Sequence, residues 1–187
     1  MMTPPLTKLI GDSTFALDVT VSRCETVQTC SISIVCDKSA LLSWTDSCLS
    51  GIVSWLRVAV DLLRCPLDCR LAEEAALSQV AEVYAQATLA GDYQHFVEVA
   101  QEVLRADPNE LNARRTSLPE RYGIADLLDG GTLDPKGFCY VLCWKPVAHI
   151  AVQGQNGQFW SISLPPEVLA VRLVDLETQL VLWAETA

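Results

Sequence analysis

The sequence contains few charged residues, and most of those are acidic. Only 19% of its 187 residues are charged, half are apolar, and the mean hydropathy is +0.26. With 13 lysines and arginines against 23 aspartates and glutamates, the formal net charge is −10. A field of this sign repels phosphate backbones and anionic lipids, so we expect neither a nucleic-acid nor a membrane partner. The shortage of charge indicates instead that protein partners cover some apolar surface.

One local cluster of positive charge, formed by Arg114, Arg115 and Arg121, runs against this acidic balance. Three arginines in a polar loop are typical of a solvated face, and we expect no phosphate site there.

The sequence also lacks segments that direct a chain to a membrane. The first eight residues show no apolar stretch after a basic one, which excludes a secretory signal there. The longest apolar stretch, residues 41–63, carries Asp46, Arg57 and Asp61, and three charges exclude an ordinary membrane helix. We therefore expect a protein that is not secreted and stays in the cytoplasm, or within a particle at its site of synthesis.

Motifs for enzyme chemistry are missing as well. The chain has no G-x-S-x-G, Walker loop, G-x-G-x-x-G, H-E-x-x-H or EF-hand loop, and we expect no cofactor. It has two histidines, of which His95 has no Glu or Cys four residues away and is interpreted as a surface residue. The absence of an active-site set favours a protein that is not an enzyme.

Cysteine is abundant by contrast, with eight residues. In a chain without a secretory signal these are expected to be reduced thiols, and a buried cysteine packs as a small hydrophobe. The alternative is zinc, because two C-x3-C pairs fall within the spacing range of structural zinc sites. Neither pair lies in a Gly-rich knuckle, so buried thiols are favoured. The four ligands of the zinc alternative are Cys65, Cys69, Cys139 and Cys143.

The C-terminal part of the chain, from Gly137 to Ala187, consists of short apolar runs separated by turn residues. Alternation with a period of two, bounded by Gly, Asn and Pro, is typical of a half-buried antiparallel sheet. We therefore predict a C-terminal antiparallel β-meander, with strands near residues 138–144, 147–152, 159–164, 169–174 and 179–184.

In the rest of the chain, the spacing of apolar residues changes from that of strands to that of helices. Residues 15–21 and 30–36 alternate and predict an N-terminal β-hairpin, and a spacing of three, four and seven from Ser39 to Leu63 predicts a long helix. Three more helices are predicted at about 69–89, at 93–106, and from the N-cap Ser117 to the glycines 130–131. The expected fold is α+β: a mainly helical region with the hairpin (1–136) and the C-terminal sheet (137–187), folding as one unit.

Residues 80–109 resemble one tetratricopeptide repeat. The turn at 91–93 and the ending at 107–109 have the separation of that motif, and Val80 and Val83 fall where its first helix is apolar. The chain departs from the repeat at Tyr84, Phe96 and Val103, where small residues are usual. Solenoids need about three repeats. The resemblance therefore implies a helical hairpin, with a peptide-binding adaptor as one alternative function.

A second resemblance concerns His149, which sits in a strand followed by a turn and then Phe159-Trp160. This arrangement is similar to the histidine hairpin of papain-like and transglutaminase-like cysteine enzymes. The resemblance implies a nucleophilic cysteine at the start of a helix, and Cys65 or Cys69 would be that residue. Those enzymes place Asp or Asn on the next strand, where this chain has Ser161 and Ser163, so a cysteine hydrolase is kept only as an alternative.

These observations together favour a non-enzymatic structural or assembly subunit of a larger multi-protein particle, for example a virion component. It is expected to act through protein–protein contacts as a homo- or hetero-oligomer. The aromatic residues predicted to contribute to those contacts are Trp44, Trp55, Tyr93, Trp144 and Trp160.

Overall fold

The computed structural model describes residues 6–24, 27–46, 49–69, 74–104, 117–127, 137–154 and 156–186, without the side chains at 22–24, 27–29, 44–46, 49, 74–78 and 186. The fold is α+β, as predicted. The strands are β1 Leu6–Gly11, β2 Phe15–Cys24, β3 Val27–Cys36, β4 Ser39–Asp46, β5 Leu67–Asp68, β6 Ile124–Asp126, β7 Phe138–Leu142, β8 Trp144–Lys145, β9 Ala148–Gln153 and β10 Phe159–Leu164. The helices are α1 Leu49–Arg64, α2 Glu74–Ala90, α3 Gln94–Val103, α4 Leu118–Arg121 and α5 Pro166–Thr186.

The N-terminal strands form an antiparallel sheet in the order β1-β2-β3-β4. The predicted hairpin is confirmed, because β2 pairs with β3 along its whole length, from Phe15 opposite Cys36 to Cys24 opposite Val27. The prediction of a helix from Ser39 is wrong for its first eight residues, which form β4. Asp37 and Lys38 both have positive φ, which turns the chain back so that β4 pairs with β3.

The two faces of this N-terminal sheet differ in chemistry. The outer face carries short hydroxyl side chains that bond across strands, with Thr7 Oγ1 2.9 Å from Thr20 Oγ1 and Ser33 Oγ 2.8 Å from Ser43 Oγ. The inner face is apolar and buried, and it includes Ile10, Val19, Ile32, Ile34 and Leu42. This is the pattern of an antiparallel sheet with one solvated side.

A central antiparallel sheet has the order β10-β9-β7-β6, and β5 and β8 form a short parallel pair beside it. Every residue of β7 is buried, and so are the first five of β9. The expectation of a half-buried sheet is therefore wrong for these two strands, because elements pack on both of their faces. The first core lies between this sheet, the N-terminal sheet, α1 and α5, and it includes Ile32, Leu56, Cys143, Ile150 and Leu173. The second core lies under α2 and α3, and it includes Val80, Phe96, Tyr122, Tyr140 and Trp144.

The largest departure from the sequence prediction is α5. The strands predicted at 169–174 and 179–184 are wrong, because this segment is one helix from Pro166 to Thr186. Pro166 occupies the first turn, where its missing N–H costs nothing, and the carbonyl of Pro165 accepts the amides of Val168 and Leu169. The buried side of the helix repeats at the helical spacing, through Leu169, Leu173, Leu176 and Leu180.

The helical hairpin of α2 and α3 is confirmed, with its turn at Gly91. Its apolar face rests on the central sheet, where the ring of Tyr84 lies 4.9 Å from that of Tyr140 and 5.0 Å from that of Phe96. The helix predicted from Ser117 is shorter than expected and ends at Arg121, because the chain turns at Tyr122 to start β6. Its predicted end at 130–131, like Arg114 and Arg115, lies outside the described residues.

Candidate functional site

The outer face of α5 is the most apolar exposed surface of a described helix. It presents Val168, Val171, Val174 and Leu182, of which Val171 is 62% exposed and Leu182 59% exposed. Steps of three and eleven residues keep side chains on one side of a helix, and the buried leucines lie on the opposite side. A helix that covers the first core with one face and exposes aliphatic side chains on the other has two apolar surfaces.

The charged residues on this outer face are all acidic. Glu167, Asp175 and Glu185 lie among the exposed aliphatic residues, and they are exposed as well. Arg172, on the flank of the helix, turns toward the β1–β2 turn, where its Nη1 lies 3.5 Å from Asp12 Oδ2. Glu177 pairs with Arg57 of α1 at 2.6 Å, on the side that packs on the molecule. The described outer face of α5 thus combines aliphatic groups with carboxylates.

Of the aromatic residues predicted as contact residues, Trp144 is a correction. It is 0% exposed, and its Nε1 donates a hydrogen bond of 2.7 Å to the carbonyl of Tyr122, so it is a core residue. Trp55, Tyr93 and Trp160 are partly buried against the two cores. Trp160 also stacks on Phe15 and donates to Asp37 Oδ2 at 2.7 Å. The side chain of Trp44 lies outside the described residues.

His149 is 3% exposed, within β9. Its Cα partners are Leu142 on β7 and Ser163 on β10, and its Nδ1 lies 2.8 Å from the hydroxyl of Ser163. A serine therefore contacts this ring, at one of the two positions where the cysteine enzymes would have Asp or Asn. Serine carries no charge to stabilise an imidazolium.

The two candidate nucleophiles do not occupy the position that the resemblance implies. Cys65 is exposed but follows Arg64, the last residue of α1, so it lies at the carboxyl end of a helix and not at a helix start. Cys69 is buried, and its backbone is held between two segments, with its N–H bonded to the carbonyl of Lys145 and a bridge to Leu104. Neither cysteine therefore lies at the start of a described helix, where the resemblance would place the nucleophile.

The four cysteines of the zinc alternative are spread over three environments. Cys139 and Cys143 are buried in the first core, Cys69 is in the second core, and Cys65 is on the surface. Within the described ranges, no group of three or more His, Cys, Asp or Glu side chains is arranged to hold a metal ion. The structure therefore does not bring these four cysteines into one cluster.

Burial makes the core thiols poor nucleophiles. Burial, with a smaller contribution from Asp37, raises the pKa of Cys36 from 9.0 to about 12. Burial likewise raises the pKa of Cys139 and of Cys143. A rise of this size lowers the thiolate fraction of Cys36 about a thousandfold at neutral pH. The expectation of buried thiols is thus correct for these residues and wrong for Cys65.

We expect one fast-reacting thiol at position 65 when the folded protein is treated with a thiol probe at pH 7.5. Cys65→Ser should reduce the fast-reacting fraction by one equivalent relative to wild type, while Cys143→Ser should leave it unchanged. Stopped-flow labelling followed by intact-mass analysis measures this. A Cys65→Ser protein with an undiminished fast phase would contradict the exposed position of this residue.

Comparison with known proteins gives no relative: no family model, no curated protein and no solved structure matches the chain. None of the described helices is long and apolar enough to cross a membrane.

Proposed function

We propose that this protein is a non-enzymatic subunit of a larger multi-protein particle, such as a virion, and that the outer face of α5 is one of its contact surfaces. The observation that carries the proposal is the row of exposed Val168, Val171, Val174 and Leu182 on a helix whose opposite side is already buried. Such a row is what a helix uses to pack against a second protein surface. The low charge of the whole chain supports the same reading.

The charges on this face indicate the chemistry of the partner. In a symmetric contact between two copies, Glu167, Asp175 and Glu185 of both helices would approach one another, and like charges brought together oppose association. A partner helix with an apolar row flanked by lysine or arginine would instead place opposite charges side by side. We therefore propose a different chain of that kind as the partner, rather than a second copy.

The test is the mass of the native assembly. The protein is purified through an affinity tag, under mild conditions, from the cells that make it. The mass of the complex is then measured by native mass spectrometry. We expect an assembly well above the 20.5 kDa of one chain, containing at least one other protein. Val171→Asp places a charge in the centre of the apolar row, and it should weaken the assembly about tenfold or more.

Leu89→Asp is the matched control, because Leu89 is 62% exposed at the end of α2, as exposed as Val171 but away from α5. Both changes are on the surface, so both variants should keep wild-type stability within about 0.5 kcal/mol. If the wild-type protein is a monomer in its native extract, the proposed function is wrong. A complex made only of 20.5 kDa chains would contradict the basic partner.

No comparable observation supports either of the two alternative functions. The apolar face of the α2–α3 hairpin packs against the central sheet, where Tyr84 and Phe96 are buried. A peptide-binding repeat needs such a face in a groove that a peptide can enter. The cysteine hydrolase lacks support from the positions of Cys65 and His149 described above.

A further inference from the structure

A small cavity lies between α5, the edge of the central sheet and the β1–β2 turn. Its volume is about 120 Å³. The sheet contributes Ile150 and Ile162, which face each other across β9 and β10, and α5 contributes Leu169, Leu173 and Leu176. None of the four exposed aliphatic residues of α5 lines this cavity, and Asp175 borders both the cavity and the outer face of the helix.

The floor of this cavity is apolar. Ile150, Leu169, Leu173 and Leu176 are all buried and form its apolar side. An apolar cavity of about 150 Å³ in another protein stays dry and binds benzene. The present space has a similar volume but opens to solvent at a polar mouth, so a six-membered ring or a branched alkyl group fits its apolar side.

The mouth of the cavity is polar, and carboxylates outnumber cations there. It is lined by Asp12, Arg172, Asp175 and Gln179. Asp12 Oδ1 accepts the amides of Thr14 at 2.7 Å and Phe15 at 3.0 Å, and its Oδ2 is 3.5 Å from Arg172. Burial opposes ionisation of this carboxyl, but those amides and Arg172 together hold the pKa of Asp12 below its ordinary 3.8.

The two carboxylates and one guanidinium therefore give the mouth a net negative charge at neutral pH. Because Arg172 is already engaged by Asp12, an incoming anion would meet Asp12 and Asp175 before any free cation. The field of a chain with net charge −10 acts in the same direction. A cationic head group suits this mouth, and an apolar body suits the floor.

We infer that this cavity binds a small organic amine: an aromatic or branched apolar group in the space above Leu173 and Ile162, with its ammonium at the mouth between Asp175 and Asp12. The inference rests on the cavity and its charges, not on the proposed function of α5. Ligands of so few atoms bind weakly, so a Kd on the order of 1 mM is expected.

Benzylamine serves as the probe, and methyl NMR spectra of the labelled full-length protein at pH 7 follow the titration. We expect saturable shifts of the methyl groups of Ile150, Ile162 and Leu173. Toluene, which lacks the charge, should bind about tenfold more weakly, and benzoate should not bind. Leu164→Phe, at the partly exposed wall, should fill the space and abolish the shifts without disturbing the buried floor.

Asp175→Asn tests the head-group contact, and Glu185→Gln is its matched control on the same helix, away from the cavity. The first should weaken benzylamine binding about three- to tenfold, and the second should leave it unchanged. The inference is overturned if benzylamine gives no saturable shift, if benzoate binds as well as benzylamine, or if both variants weaken binding equally.

Discussion

Replacing Trp144 with alanine is expected to lower the free energy of unfolding by about 3–5 kcal/mol, the range for truncating a large buried aromatic residue. Trp144 has no exposed surface and lies in the second core, where Leu142, Ile124 and Tyr122 are also buried. Its indole N–H donates a 2.7 Å hydrogen bond to the carbonyl of Tyr122. The alanine variant would lose the packing of the ring and leave that buried carbonyl without its donor.

Trp144→Phe keeps a six-membered ring in the core but removes the N–H and part of the packed volume. We expect it to cost at least about 1–3 kcal/mol, the penalty for an unsatisfied buried polar group, and less than the alanine variant, because part of the ring packing remains. Urea denaturation followed by far-UV circular dichroism measures both variants without relying on tryptophan fluorescence. If the alanine variant loses less than about 1 kcal/mol, Trp144 is not the core residue described here and its prediction as a contact residue would regain weight.

The sequence allowed prediction of those elements whose signals are local. The hairpin of β2 and β3 follows from strict alternation, which commits one face to the first core. The α2–α3 hairpin follows from apolar spacing broken at Gly91 and Asp92. In both cases, residues close in the sequence pack against each other, so the pattern contains the information that determines the element.

The prediction failed where one apolar run fits two periods. Residues 169–174 are apolar apart from Arg172 and include two valines, which are typical of a strand. The helical signal was nevertheless present, since Leu169, Leu173, Leu176 and Leu180 recur at four, three and four residues after Pro165-Pro166. The exposed valines of the outer face obscured it, because apolar residues then occur on every side of the helix.

The candidate sites could not be predicted from the sequence, for a different reason. The cavity brings together Asp12 from the β1–β2 turn, Ile150 from β9 and Arg172 from α5. No spacing rule connects residues this far apart, and only the packing of α5 across both sheets defines the space. The outer face of α5 could not be recognised either, because its residues were assigned to two strands.

The β1–β2 turn that forms part of this cavity leaves no room for a side chain at Gly11. Gly11 has a φ of +126°, and a Cβ atom there would lie 2.6 Å from the carbonyl oxygen of Phe15 and 2.7 Å from Cα of Ala16. Both are backbone atoms of the paired strand, so they cannot move aside as a flexible side chain would. We expect Gly11→Ala to lower the free energy of unfolding by more than about 2 kcal/mol, through backbone strain and this clash.

Gly157→Ala is the matched control, because Gly157 also has a positive φ, of +79°, but nothing lies within 4 Å of the added Cβ. It should cost about 1 kcal/mol, the conformational penalty alone. The difference between the two variants in urea denaturation measures the close approach of the turn to β2. Because Gly11 lines the cavity, Gly11→Ala should also weaken benzylamine binding, while Gly157→Ala should not. If both variants lower the free energy of unfolding equally, the turn does not hold Gly11 against β2. The placement of Asp12 at the cavity mouth would then be wrong as well.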